Sequence, residues 1–195
     1  MSPMTNEQMS AMAHAMRQAW EEAATEHPAI SFLFEDDAPY LTIWDDKRCK
    51  CRHGRILENV YNVQGHKRTA QAFVCTMPGE DDEEGIDVVN VHAPSGHPKL
   101  TDAQRFQLIQ NLLQSSSMTR ADRPISEGRF LIGGDMNTLE ITLGQMLEKL
   151  LHQRIIKRKP EVMVPLDGLP GDMCVVGGFT TTMVQKTTLN LSLIH

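Results

Sequence analysis

No stretch of the 195-residue chain is apolar for long enough to span a bilayer, and its first residues carry no basic-then-apolar signal pattern. Cysteine is scarce: Cys49, Cys51, Cys75 and Cys174 are too few and too irregularly spaced for a secreted disulfide framework. Free thiols in a reducing compartment are therefore expected, and with them an intracellular protein, cytoplasmic or nuclear. Positive charge is also short. A net charge of −6 argues against tight, nonspecific binding of duplex DNA. It leaves a nuclease open, because bound Mg²⁺ offsets local negative charge. No segment repeats internally. What remains is ordinary: 41% hydrophobic and 23% charged residues, in a chain long enough for one domain with its own core.

Within that ordinary background one segment stands out, Leu131-Ile132-Gly133-Gly134-Asp135-Met136-Asn137-Thr138. An apolar strand runs into two glycines, then Asp135 and Asn137 follow two residues apart. On extended chain such residues point the same way, so both side chains are expected to face one site. Glycines remove Cβ atoms where backbone crowds a substrate or turns sharply. A carboxylate beside a neutral amide suits phosphate chemistry: one prepares a water or holds a metal, the other donates to a negative oxygen. The simpler alternative is a strand ending in an Asx turn.

Upstream, Val88-Val89-Asn90-Val91-His92-Ala93-Pro94-Ser95 is a second apolar strand with a polar end. Downstream, Gly171-Asp172-Met173-Cys174-Val175-Val176 is an Asp-led strand. Taken together and in this order, the three segments resemble the endonuclease/exonuclease/phosphatase superfamily, the deoxyribonuclease I-like hydrolases. The resemblance covers roughly residues 31 to 190. It implies an α+β fold, a two-sheet β-sandwich flanked by helices, and hydrolysis of a phosphodiester or phosphomonoester with Mg²⁺ (or Mn²⁺). In that scheme His92 donates to the substrate phosphate and Asp135 orients or deprotonates the attacking water. Asn137 stabilises charge on the phosphorus oxygens, and Asp172 orients a catalytic His further on. The implied partner is a phosphate ester; nucleic acid is one candidate, and no signature among the loops selects a substrate. A turn role for Asp172 is the competing reading.

The remaining pattern fits the same class. Thr5 and Gln8 read as a capping box, with Met9, Met12, Met16, Trp20 and Ala23 at helical spacing, so a helix is expected over residues 6 to 26. Strands are expected at 30–34, 40–44, 56–63, 69–77, 86–91, 130–132, 161–164, 172–176 and 179–185. Thr101 and Gln104 form another capping box before a helix over 102–117, and a further helix is expected over about 142–155. Residues 115–128 read as a polar loop, and Glu80 to Glu84 as a solvated acidic one. Cys49, Cys51 and His53 alternate on one strand face, but their spacing is not that of a common zinc site. His66 and His97 fall in expected loops, and Lys157-Arg158-Lys159 sits where it complements a helix dipole.

Two parts of the family pattern are not found in the sequence. The Glu that anchors the metal has no counterpart, since Glu35 and Glu58 sit in unmatched contexts. The terminal His is replaced by Leu191 after Asn190. Leu191-Ser192-Leu193-Ile194-His195 is what CTG TCT CTT ATA CAC encodes, the start of a transposon end used in library preparation. The expected organisation is a helical segment 1–30, a partial hydrolase domain 31–190 and a non-native tail 191–195, truncated at both ends and with little or no activity as it stands. Two alternatives accompany it: a catalytically dead binding module of the same fold, and the endonuclease portion of a retrotransposon polyprotein.

Overall fold

The structure is a computed structural model that describes residues 6–26, 30–34, 41–63, 66–81, 84–93, 101–164 and 172–179. It is α+β. Helix α1 (Asn6–Glu26) precedes an antiparallel pair, β1 (Ile30–Phe34) and β2 (Leu41–Asp45). Then come β3 (Lys50–Val63), β4 (His66–Thr76), β5 (Ile86–His92), α2 (Asp102–Gln114), β6 (Phe130–Asp135), α3 (Glu140–His152), β7 (Glu161–Met163) and β8 (Asp172–Gly177). These strands form one six-stranded sheet in the order β3-β4-β5-β6-β8-β7, beside the two-stranded sheet β1-β2. Among the described residues only β5 and β6 pair in parallel, and the chain between them passes through α2, as a parallel pair requires.

Alternation along the central strands sorts side chains onto two faces. Val89 and Val91 of β5, Phe130 and Ile132 of β6, and Met173 and Val175 of β8 join the main core. They pack with Leu108, Ile109, Leu112 and Leu113 of α2 and with Leu143, Leu147 and Leu150 of α3. Each such side chain, once buried, contributes about 1.5–3 kcal/mol. The other parity, Leu131, Cys174 and Val176 with Val88, Met163 and Phe179, forms a smaller apolar cluster on the opposite face.

Helix α2 begins as its sequence predicts. Thr101 accepts from the backbone of Gln104, and the Gln104 side chain accepts from the Thr101 N–H, the reciprocal capping box. It ends three residues before the expected Ser117, where Ser115 Oγ turns back to donate to the Asn111 carbonyl at 2.8 Å. Asn111 Nδ2 donates to the Val60 carbonyl at 3.0 Å, within the stretch where the β3–β4 register shifts between Leu57 and Tyr61. Strand β3 is longer than expected because its polar start, Lys50 to Arg52, pairs with the end of β4. The Thr5 cap of α1 and the expected strand 179–185 beyond Phe179 lie outside the described residues, as does the tail 191–195.

The polar loop 115–128 is not a solvated connection. Ser117 is buried, and its hydroxyl donates to Asp87 Oδ2 at 2.6 Å while the Met118 N–H donates to Oδ1 at 2.6 Å. Ser117 Oγ in turn accepts from the N–H groups of Thr119 and Arg120, each at 3.1 Å. Asp87 is 1% exposed, and burial raises its carboxyl above the ordinary value despite these bonds. The acidic run is also partly tied down: Glu80 Oε1 accepts from Arg129 Nη1 at 2.8 Å, which holds the Glu80 carboxyl low. Lys157 and Lys159 lie past α3 and pair with Glu127 (2.9 Å) and Glu148 (2.5 Å) rather than capping the helix.

Candidate active site at the ends of the central strands

The last residues of β5 and β6 and the first of β8 stand in one row. His92 pairs with Asp135 across the parallel ladder, and Asp135 pairs with Asp172 across the antiparallel one. All three have the parity of Val88, Leu131 and Val176, so they share the sheet face opposite α2 and α3. Asp172 is the first residue of a strand, not part of a turn, and it is 8% exposed. Sequence spacing could not show this row, because register between strands is set by tertiary pairing.

His92 Nε2 lies 3.8 Å from Asp135 Oδ2, with side chains 54% and 18% exposed respectively. That is a charge contact when the imidazole is protonated and too long for a hydrogen bond. The other oxygen, Asp135 Oδ1, accepts from the Asn137 N–H at 2.8 Å. This is the Asx turn that the sequence offers as the simpler reading, and it fixes the carboxylate so that Oδ2 faces His92.

Asn137 does not share the strand's alternation. The strand ends at Asp135, and Asn137 is left-handed at φ +46°, a region that Asn tolerates better than most residues. Its Nδ2 donates to the Ala93 carbonyl at 2.6 Å, while the Ala93 N–H donates to the Asp135 carbonyl at 2.8 Å. The chain after β6 is thereby clipped to the chain after β5. Gly134 completes the clip: at φ +143°, a Cβ here would stand 1.8 Å from the Val91 carbonyl oxygen. No other residue fits that approach.

Among the described residues, His92, Asp135 and Asp172 do not bring three ligand atoms within 4.8 Å of one another, whereas Cys49, Cys51 and Cys75 do. The carboxylates of Asp135 and Asp172 are nonetheless hard oxygen donors on adjacent strands. Mg²⁺ commonly takes one or two carboxylates and completes its shell with water and substrate phosphate. The donor chemistry therefore suits Mg²⁺ better than a soft ion. Cys174, on the same face, is buried and its thiol is pushed up to about 11, by desolvation first and then by the Asp172 charge, so it is no nucleophile at neutral pH.

The motifs and their placement agree. The chain resembles the endonuclease/exonuclease/phosphatase superfamily. No protein-family model matches it, and no curated protein does either. Among solved structures it is similar to D. rerio TDP2 complexed with single-strand DNA product, with 14% identity, a TM-score of 0.48, and coverage of 82% of this chain and 67% of that one. It is similar to the human Nocturnin catalytic domain with bound sulfate, with 13% identity, a TM-score of 0.47, and coverage of 80% and 63%. A conserved protein of unknown function from Enterococcus faecalis gives 13% identity, a TM-score of 0.46, and coverage of 70% and 58%. The chain thus spans about three-fifths of the length of the last two. At these identities and scores the likenesses do not bear on what this chain does. Helices among the described residues are too short or too polar to cross a membrane.

Proposed function

We propose that the chain is the core of a phosphoesterase that cleaves a phosphodiester or phosphomonoester, with His92, Asp135, Asn137 and Asp172 as its catalytic end. The observation that carries this reading is the in-register row His92–Asp135–Asp172 at one edge of the face away from the helices. His92 is the exposed member and donates a proton or hydrogen bond to a phosphate oxygen. Asp135, held through Oδ1, presents Oδ2 to take a proton from an attacking water and to steady the imidazolium. Asn137 spends one amide hydrogen on Ala93 and offers the other to charge building on phosphorus. Asp172 holds a group that approaches from outside the row. Mg²⁺ or Mn²⁺, if bound by Asp135 and Asp172, supplies neutralisation of the phosphate charge.

A binding module of the same fold is the second reading. It is favoured by the structural work that Asp135 Oδ1 and Asn137 Nδ2 already do within the turn. Hydrolysis of bis-p-nitrophenyl phosphate and of p-nitrophenyl phosphate separates the readings, together with a titration of inorganic phosphate followed on the His92 ring proton resonances. A metal-dependent rate that falls about 100-fold or more in Asp135→Ala and His92→Ala supports the phosphoesterase. Phosphate binding at His92 without turnover supports the module. Neither turnover nor a His92 shift overturns both.

A further inference from the structure

The alternation Cys49–Cys51–His53 does not have the spacing of a common zinc site. The fold adds a third thiol. Cys51 and Cys75 are direct partners across the β3–β4 ladder, with sulfurs 3.4 Å apart. Cys49 is brought to the same place by a tight turn after β2. The N–H groups of Arg48 and Cys49 donate to the Asp45 carbonyl at 2.9 and 3.1 Å, and the Lys47 N–H donates to Asp45 Oδ1 at 2.9 Å. The three sulfurs lie within 4.8 Å of one another, and each residue is half-buried. The side chain of His53, the next residue in the alternation, lies outside what the structure describes.

We propose that Cys49, Cys51 and Cys75 form a three-thiolate site for one Zn²⁺ ion, with solvent water in the fourth position. A zinc–sulfur bond of about 2.3 Å sets two ligands of a tetrahedral ion about 3.8 Å apart. Sulfurs between 3.4 Å and 4.8 Å apart reach that arrangement by side-chain adjustment, without moving strands. Thiolate ligands select a soft cation over Mg²⁺ or Ca²⁺. Without a cation, three sulfurs this close cannot all ionise. Zinc would displace the thiol protons to solvent and take three thiolates. The half-buried position leaves a route of entry.

The site belongs to the far end of the sheet. Cys75 pairs with Ile86, six residues before His92 on β5, which places it about 20 Å from the catalytic row at 3.3 Å per residue. Its role is therefore to pin β3, an edge strand, to β4 and to the turn after β2. The proposal does not depend on the phosphoesterase reading.

The full 195-residue chain, reduced and metal-free, is titrated with Zn²⁺ against a chromophoric chelator, and in parallel with Co²⁺. The expected result is one equivalent bound, unaffected by millimolar Mg²⁺, with a thiolate-to-cobalt charge-transfer band and tetrahedral d–d intensity. Cys49→Ser, Cys51→Ser and Cys75→Ser each weaken zinc at least about 10-fold, and Cys174→Ser leaves it unchanged. Zinc also raises the melting temperature of the unmodified chain, a readout that needs no variant to fold. Failure of the reduced chain to bind one equivalent overturns the site. So does zinc binding that survives replacement of all three cysteines, or a Cys51–Cys75 disulfide as the only chemistry the cluster shows.

Discussion

At the scale of single residues, the end of β6 is tightly constrained. Gly134 admits no side chain, because the Val91 carbonyl occupies the space a Cβ would need. Gly134→Ala is expected to lose about 2 kcal/mol or more, from the strained φ together with the clash, read as a lower urea midpoint at unchanged m. Asn137 separates backbone from side chain. Asn137→Gly keeps the left-handed backbone and loses only the bond to Ala93, about 1 kcal/mol, whereas Asn137→Ala loses both. A chemical denaturation series in which Ala and Gly cost the same would show that the left-handed turn is not what Asn137 supports.

Asp87 and Glu80 give the residue scale its pH dependence, with opposite signs. Burial raises the Asp87 carboxyl, so the folded state binds that proton more tightly than the unfolded chain. Its stabilising contribution is full below the unfolded value and is lost as pH rises through the folded one. Glu80 is held low by Arg129, so its contribution is present above the unfolded value and is lost as pH falls through the folded one. Glu80→Gln should flatten the acid side of the stability profile, between about pH 5 and pH 3, measured by thermal melts across pH. An unchanged slope there would mean the Arg129 pair is not felt. Asp87→Ala strands the Ser117 hydroxyl and the Met118 N–H, and should cost about 1–3 kcal/mol at neutral pH.

At the scale of elements, α2 is the joint of the fold. Its buried residues Leu108, Ile109, Leu112 and Leu113 cover the sheet, its cap starts it, and Asn111 ties it to the irregular stretch of β3. Thr101→Ala removes the reciprocal cap and should cost about 1 kcal/mol without moving the strands. The elements were readable where period and cap agreed: α1 over 6–26, β1 over 30–34 and the start of β5 at 86 are where the pattern places them. They were misjudged where partners outside the segment decided. The polar start of β3 is strand because β4 pairs with it. The end of α2 is set by Ser115 turning back; the segment 115–128 is a loop as expected, tied to the sheet by the buried Asp87 of the preceding strand β5. Asp87 shares the parity of Val89 and Val91, a signal of burial that was present in the sequence.

At the scale of the whole molecule, the sheet order puts two candidate sites at opposite ends of one face. The His92–Asp135–Asp172 row lies at the end of β5, and the three thiols lie where β4 meets its start. Cys51, Cys75 and the row all follow from the same alternation. Register fixes which residues become neighbours, and a one-residue slip of any of these strands would send that strand's members to the other face.

By itself the sequence determined the α+β class, most of the apolar strands and helices, the cap of α2, and the candidate motif residues His92, Asp135, Asn137 and Asp172. Each of these is a matter of local period or local residue chemistry. Only the tertiary structure decided which of those residues meet, that Asn137 leaves the strand face, and that Cys75 joins Cys49 and Cys51. Those outcomes rest on pairing between segments 24 to 44 residues apart, as in Cys51 with Cys75 and Asn137 with Ala93, and no local signal encodes a register across that distance.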